Sequence, residues 1–165
     1  MSSLAPAPPP SGSPDTLPVQ DAAAYLAGWW TVDRTLVDLR TGSCGVFRGT
    51  AEFRRLDDAS LLHVEDGELS WNGAVNRAGR TLKLFPQADG TAEVTFADGR
   101  FFHDLDLRGG SWTTRHPCGQ DLYDGTFTVA SPAEWHVRWH TAGPAKDQLL
   151  RSVTGGRSGR KRPGP

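Results

Sequence analysis

Hydrophobic and polar residues alternate with a period of two along most of the chain. The segments "GVFRGTAEF" and "WHVRWHT" place apolar side chains on one face and polar side chains on the other, and Gly, Pro and Asp-Gly punctuate the pattern at short intervals. This alternation is typical of half-buried antiparallel strands. The pattern predicts ten strands, at residues 29–39, 46–55, 60–71, 76–86, 91–97, 100–107, 111–116, 121–130, 134–141 and 148–153.

A single helix is predicted before the first strand. In "DAAAYLAG", Asp21 is placed as an N-cap, the alanines favour helix, and Gly28 ends it. Ten short strands joined by tight turns form a meander, and a long meander usually closes on itself to remove its edges. We therefore predict an all-β fold, an antiparallel up-and-down barrel of about eight to ten strands with one short N-terminal helix.

The two ends of the chain differ in composition from this body. Residues 1–19 are rich in Pro, Ser and Ala, and residues 155–165 are rich in Gly, Pro and basic side chains. Neither segment has enough apolar surface to offset its ordering entropy. We expect disordered tails at 1–19 and 155–165 and a single barrel domain at 20–154.

Charge and cysteine content narrow the class of protein further. The net charge is −1 although the C-terminal tail alone carries four basic residues, so the body is acidic and a nucleic-acid partner is not expected. There is no apolar run of membrane-spanning length and no signal-peptide pattern. Two cysteines are too few for a disulfide scaffold. We expect a cytoplasmic monomer or homodimer with reduced thiols.

Two glycine turns predict the pairing of three central strands. If Gly109-Gly110 forms a two-residue turn, His103 lies opposite His116 on the inner face, and Asp104 meets Arg115 on the outer face. The Asp98-Gly99 turn likewise places Val94 opposite His103 and Phe96 opposite Phe101. These pairings predict an apolar wall with two histidines at its centre.

The next hairpin is predicted from a loop at residues 130–134. This loop places Phe127 opposite Val137 and Gly125 opposite Trp139, where the absent side chain makes room for the indole. Tyr123 then lies opposite Thr141, and Asp121 shares the inward face with Tyr123.

The polar residues expected inside the barrel or at its mouth form the candidate ligand-binding set. They are Arg34, Glu65, Arg100, His103, His116, Asp121, Tyr123, Trp139 and Lys146. Together they suit an anionic or strongly hydrogen-bonding ligand. Several also have structural explanations: Arg34 can pair with Glu65, Arg100 can cap the Asp98-Gly99 turn, and a lone inward histidine is often neutral and satisfied by the backbone.

Cysteine and metal chemistry receive less support. Cys118 as a nucleophile would need a neighbouring base, and Pro117 favours a bend over residues 117–119 that separates it from His116. Cys44 lies in a turn. A structural zinc site uses four ligands, whereas His103, His116 and Cys118 supply three at most. We therefore predict no metal and no cofactor.

Several blocks of the sequence resemble a known family. In order along the chain, "LAGWWTVDR", "GVFRGTAEF", "EDGEL", "FADGRFFHDLDL", "HPCGQDLYDGTF" and "WHVRWHTAGPAKD" resemble the bacterial and plant domain of unknown function 6314 over about residues 21–154. The resemblance implies a calycin-like barrel of the lipocalin or nitrobindin type. Because nitrobindin-type barrels hold haem through one histidine, it also raises haem binding, with His103 or His116 as the axial ligand.

Three functions remain open from the sequence. The favoured hypothesis is a barrel that binds a small organic molecule in its interior. The second is an isomerase, cyclase or hydrolase in which His103 or His116 is the general acid or base, tuned by Asp121 and Tyr123. The third is a haem or metal carrier.

Overall fold

Ten antiparallel strands and one short helix make up residues 15–158, the part of the chain that the computed structural model describes. The helix is α1 (Ala22–Leu26), and the strands are β1 (Gly28–Asp38), β2 (Cys44–Arg55), β3 (Leu61–Trp71), β4 (Ala74–Pro86), β5 (Ala92–Phe96), β6 (Phe101–Leu105), β7 (Ser111–Cys118), β8 (Asp121–Ser131), β9 (Glu134–Ala142) and β10 (Asp147–Ser158). The predicted all-β, up-and-down architecture is confirmed.

Most strand boundaries agree with the predicted ones to within two residues. Strand β7 continues through Pro117 to Cys118 and pairs these residues with Leu122 and Asp121. The bend predicted at residues 117–119 is therefore wrong, because the chain turns only at Gly119 and Gln120. The one boundary that differs by more is the end of β10, which runs to Ser158, beyond the predicted domain end at residue 154.

The sheet closes into a nearly complete barrel. Its strand order is β6-β5-β4-β3-β2-β1-β10-β9-β8-β7, so every neighbouring pair is consecutive in sequence except β1 and β10. That pair closes the sheet over a long ladder, including Thr35 opposite Arg151. No ladder joins β6 to β7 in the described part of the chain. We call this gap the seam.

The seam corrects the pairing predicted from Gly109-Gly110. His103 does not pair with His116, and Arg115 bonds Asp124 on β8 at 2.8 Å instead of Asp104. Among residues 15–158, one side-chain hydrogen bond crosses the seam: Trp112 Nε1 donates to the Asp104 carbonyl at 2.8 Å.

Residues 17–19 bridge the seam at its end beside the β6–β7 connection. Leu17 N donates to the Val129 carbonyl and Val19 N donates to the Leu107 carbonyl, both at 2.9 Å. Val19 is also buried. The packed chain therefore begins before the predicted boundary at residue 20. The rest of the predicted tails, residues 1–14 and 159–165, lies outside the described residues.

A bulge alters the predicted pairing between β5 and β6. Val94 lies opposite His103 as predicted, but the register then shifts and Thr95, not Phe96, pairs with Phe101. Phe101 is consequently 50% exposed, and Phe102 takes its place in the core. The inward position predicted for Phe101 is wrong because one extra residue reverses the face of everything beyond it.

The register predicted for β8 and β9 is confirmed. Phe127 pairs with Val137, Gly125 with Trp139 and Tyr123 with Thr141. A Cβ on Gly125 would lie 2.6 Å from the Trp139 ring, so the glycine is required for the indole to pack there.

Helix α1 closes one end of the barrel. Asp21 caps it by accepting a hydrogen bond from Ala24 N at 3.1 Å, as predicted. Four of its five residues are buried, and Tyr25 and Leu26 bond the barrel through Tyr25 Oη to the Ser131 carbonyl and Trp30 Nε1 to the Leu26 carbonyl, each at 2.8 Å. No helix within residues 15–158 is long and apolar enough to cross a membrane.

Candidate functional site

The barrel encloses a cavity of about 40 Å³ between α1 and its middle layers. Its walls are mainly apolar, with Leu82, Val94, Phe127 and Val137 among them. A buried water needs about 10–15 Å³ of such space, so the cavity has room for about three waters or a compact organic molecule.

A buried ion-pair cluster, which we call the Arg34–Glu65–Arg80 cluster, forms one wall. Arg34 Nη1 and Nη2 grip both Glu65 oxygens at 3.1 and 2.7 Å, and Arg80 Nε donates to Glu65 Oε1 at 2.6 Å. Ser152 Oγ accepts a hydrogen bond from Arg34 Nε at 2.8 Å. The side chains of Arg34, Glu65 and Arg80 are 10%, 4% and 37% exposed.

The strand register brings this cluster together. Glu65 on β3 lies opposite Arg80 on β4, and Arg34 on β1 lies opposite Ser152 on β10. Arg34 and Glu65 face each other across β2, where Ala51 pairs with Glu65 and leaves the space above the sheet free. Arg34 is also held over the Phe47 ring, 5.2 Å from its centroid.

The cluster carries a net positive charge. Burial alone would raise the pKa of Glu65, but Arg80 and Arg34 outweigh it and lower the pKa to about 2. Glu65 is therefore ionised at neutral pH, and one carboxylate balances only one of the two guanidinium groups.

Two buried histidines beside the cavity are neutral at physiological pH. Burial lowers the pKa of His63 to about 3 and that of His103 to about 4. His103 Nδ1 lies 2.7 Å from the Asp104 carbonyl, as expected for a neutral ring that donates to the backbone. His63 stacks on Phe53 with 4.0 Å between ring centroids.

Three stacked rings, Phe96, Phe102 and Trp139, lie between the cavity and the end of the barrel opposite α1. We call them the aromatic group. The Phe102 ring stacks between Phe96, at 4.5 Å, and Trp139, at 5.1 Å. It also contacts both His103 and His116, with centroid distances of 4.8 and 5.4 Å. Phe102 thus occupies the place between the two histidines where the sequence predicted direct pairing.

Comparison with family models matches residues 26–154 to the family of unknown function (DUF6314). The chain belongs to this family. Comparison with curated proteins found no match.

Solved structures similar to this DUF6314 barrel include a phycobiliprotein lyase of the S type from Guillardia theta. That structure has a TM-score of 0.61 and 11% sequence identity, and the match covers 84% of this chain and 92% of the lyase. A DUF3598 protein of unknown function from Nostoc punctiforme matches at a TM-score of 0.48 and 11% identity, over 87% of this chain and about half (51%) of its own. At 11% identity the likeness to the lyase shows a shared fold alone.

A redesigned β-barrel, mFAP1, bound to DFHBI is a third similar structure. It has a TM-score of 0.44 and 20% identity, covering 82% of this chain and 98% of the designed chain.

The DUF6314 barrel divides the predicted site residues into two groups. Four of them line the cavity: Arg34, Glu65, His103 and Trp139. The others lie towards the opposite end of the barrel, namely Arg100, His116, Asp121, Tyr123 and Lys146.

The residues outside the cavity mostly make local contacts. Arg100 bonds Asp98 through its backbone N at 3.1 Å and its Nε at 2.7 Å, which is the turn-capping role considered from the sequence. Lys146 Nζ lies 3.8 Å from Asp121 Oδ2 at the rim. His116 pairs with Tyr123 across β7 and β8, and their ring centroids are 6.4 Å apart.

The cavity also contains polar residues that were absent from the predicted set, notably His63, Arg80, Trp135 and Ser152. The position of Arg80 could have been predicted from the sequence. Asn72 and Gly73, with φ of 50° and 81°, form a tight turn, and counting back from this turn places Arg80 opposite Glu65.

The geometry bears on the alternative chemistries. Pockets for drug-sized ligands enclose about 300–1,000 Å³, so haem would require the aromatic group and the cluster to rearrange. Among residues 15–158 no three His, Cys, Asp or Glu side chains are grouped as metal ligands. Cys44 and Cys118 are both free and exposed.

Proposed function

We propose that the barrel binds a small organic molecule with a carboxylate or another anionic group in its interior. The observation that carries this proposal is the Arg34–Glu65–Arg80 cluster, which places two guanidinium groups and one carboxylate at a largely apolar cavity. Glu65 balances only one of the two guanidinium groups, and a ligand anion would balance the other at the partly exposed Arg80. His63 and His103 are both neutral at physiological pH, so the positive charge available to an anion comes from the arginines alone.

Arg80 is the residue best placed to hold the anion. Its Nε donates a hydrogen bond to Glu65, and its two Nη groups have no hydrogen-bond partner among the described residues. A guanidinium with two parallel N–H groups left over matches the two oxygens of a carboxylate. Its partial exposure also gives an incoming anion a path from solvent.

The size of the cavity limits the ligand in the closed barrel. Three waters in the liquid occupy roughly 90 Å³, about the space of three methylene groups, so the closed cavity suits the hydrocarbon tail of a short-chain acid rather than a polycyclic compound.

A matched pair of probes tests the proposal. Butyrate and butyramide have the same shape and differ in charge, so a thermal melt of the full chain in each compares the anion site directly. At about ten times its Kd, butyrate should add about 1.4 kcal/mol of stability and raise Tm by about 3–6 °C. Butyramide should produce little change.

Two variants complete the test. Arg80→Met leaves Arg34 and Glu65 balanced, so it should remove the advantage of butyrate over butyramide. Arg77→Met is the control, because Arg77 lies on the same strand but pairs with Asp66 on the outer face. Equal shifts with both probes, or no shift with either, would contradict the proposal.

We infer a calycin-like bacterial protein that works in the cytoplasm as a monomer or homodimer, without a nucleic-acid partner. The two free, exposed thiols support a reducing compartment.

A further inference from the structure

Two ring nitrogens in the cavity wall lack hydrogen-bond partners. His63 Nε2 and Trp135 Nε1 are both buried and have no partner among the described residues. Polar atoms buried in folded proteins are almost always hydrogen-bonded. By contrast, Trp30 and Trp112 both bond backbone carbonyls through their indole nitrogens.

The two nitrogens belong to one layer of the barrel. His63 stacks on Phe53 at 4.0 Å, and Trp135 meets the same Phe53 ring edge-on at 6.1 Å. Both side chains line the cavity. We call this pair the neutral layer.

The neutral layer lies next to the charged cluster along the barrel. His63 is two residues from Glu65 on β3, and Trp135 is two residues from Val137, which pairs with Ser152. A strand rises about 3.4 Å per residue, so the layers are separated by about 7 Å along the strands. Residues that carry the two kinds of polar group therefore line one small cavity at adjacent levels.

The chemistry of the neutral layer selects an oxygen atom. An indole Nε1 only donates a hydrogen bond, whereas the Nε2 of a neutral imidazole donates or accepts according to its tautomer. A hydroxyl group satisfies both nitrogens with either tautomer, and a carbonyl oxygen satisfies both when His63 carries its proton on Nε2. An apolar group satisfies neither.

We propose that the ligand is a bifunctional acid, with an anionic group at the Arg34–Glu65–Arg80 cluster and a hydroxyl or carbonyl oxygen at the neutral layer. This inference rests on the proposed function and specifies its ligand class as short hydroxy or keto acids. Both nitrogens are covered in the closed structure, so binding includes a small rotation of the two rings towards the cavity.

Isothermal titration of the full chain with 4-hydroxybutyrate and butyrate tests the second group separately from the first. The wild type should bind 4-hydroxybutyrate about tenfold more tightly than butyrate. His63→Phe and Trp135→Phe should each reduce this preference severalfold while leaving the affinity for butyrate within about twofold. His136→Phe is the control, because His136 is next to Trp135 on β9 but pairs with Glu134 outside the cavity.

The outcomes separate the two proposals. If the wild type binds both acids equally, ordered water alone completes the neutral layer, and this inference is overturned while the anion site stands. If the preference survives in both variants, the oxygen binds elsewhere and the inference is again overturned. Binding of neither acid overturns both proposals. If His63→Phe does not fold, Trp135→Phe alone decides.

Discussion

Glu65 holds two arginine side chains in an interior that is otherwise largely apolar. Removing charges from water is costly, and a buried ion pair offsets that cost only when its geometry and hydrogen bonds are good. Here three N–H groups reach the carboxylate at 2.6 to 3.1 Å, and Ser152 satisfies the remaining Arg34 Nε. The cluster is therefore well bonded internally, yet it retains one net positive charge.

The buried histidines predict how stability depends on pH. Both pKa values are depressed from 6.5, to about 3 for His63 and about 4 for His103. Below pH 6.5 both histidines bind protons in the unfolded chain but stay neutral in the folded barrel. The stability that depends on their neutral form is therefore fully present above about pH 6.5 and is lost as the pH falls. Each histidine contributes about 1.4 kcal/mol per pH unit, until its folded pKa is reached. Urea unfolding at pH 7, 6 and 5 measures this loss.

A variant isolates one of these two residues. His63→Phe should flatten the dependence between pH 6.5 and 4 by about half, since only His103 then contributes. His136→Phe, on the outer face, should leave it unchanged. Equal stability of the wild type at pH 7 and pH 5 would show that these side chains are not held neutral.

At this scale the sequence allowed some contacts to be predicted and concealed others. The Arg34–Glu65 pair was expected, and the structure has it. Arg80 followed from the same counting rule at the Asn72-Gly73 turn but was not in the candidate set. The open nitrogens of His63 and Trp135 could not be predicted, because an unpaired atom depends on three-dimensional packing rather than on residue type.

At the scale of elements, glycines allow β2, β3 and β4 to approach closely. Gly49 on β2 lies directly opposite Gly67 on β3, and a Cβ built on Gly49 would lie 2.8 Å from the Gly67 Cα. Real Cβ atoms do not approach a backbone that closely, so only glycine permits this packing. The close approach occurs beside the Arg34–Glu65–Arg80 cluster.

Gly49→Ala should therefore destabilise the barrel. Because the new methyl group meets backbone atoms that cannot rotate away, the strands must separate, at a cost of about 1–3 kcal/mol. Gly155→Ala is the matched control in another strand, since the nearest atom to its Cβ would be the Ala133 carbonyl oxygen at 3.6 Å. Urea midpoints of the two variants measure the difference, and equal midpoints would refute the packing argument.

Hairpin registers could be predicted only where the turn alone determines them. The β8–β9 pairing followed from one loop and from the fit of Gly125 to Trp139. The β5–β6 pairing failed beyond Val94 because adjacent phenylalanines, Phe101 and Phe102, satisfy the inward pattern equally well with or without a bulge.

The β6–β7 pairing failed for a different reason. The Leu107 carbonyl accepts hydrogen bonds from both Gly110 N and Val19 N, so a segment distant in sequence takes part in the link. No local turn rule includes such a partner. The β6–β7 pairing was predicted wrongly in part because residues 17–19, which bond across the seam, were predicted to belong to a disordered tail.

At the scale of the whole molecule, the barrel consists of two meanders. Strands β1 to β6 form one and β7 to β10 form the other, and the β1–β10 ladder joins them. The seam is the second boundary between them, held by Trp112 and by residues 17–19 rather than by a ladder. Widening the seam would enlarge the interior without breaking any strand pairing.

The seam also bears on how the chain folds. Each meander contains only contacts between consecutive strands, whereas β1 and β10 must meet from opposite ends of the sequence, and such distant contacts slow folding. A circular permutant that joins residue 165 to residue 1 and opens the chain between Arg108 and Gly109 would keep every ladder and bring β10 and β1 close in sequence. It should refold faster than the natural chain in stopped-flow tryptophan fluorescence. An equal or slower rate would mean that pairing of β1 with β10 is not the slow step. Folding would then be limited by strand pairing within one of the two meanders.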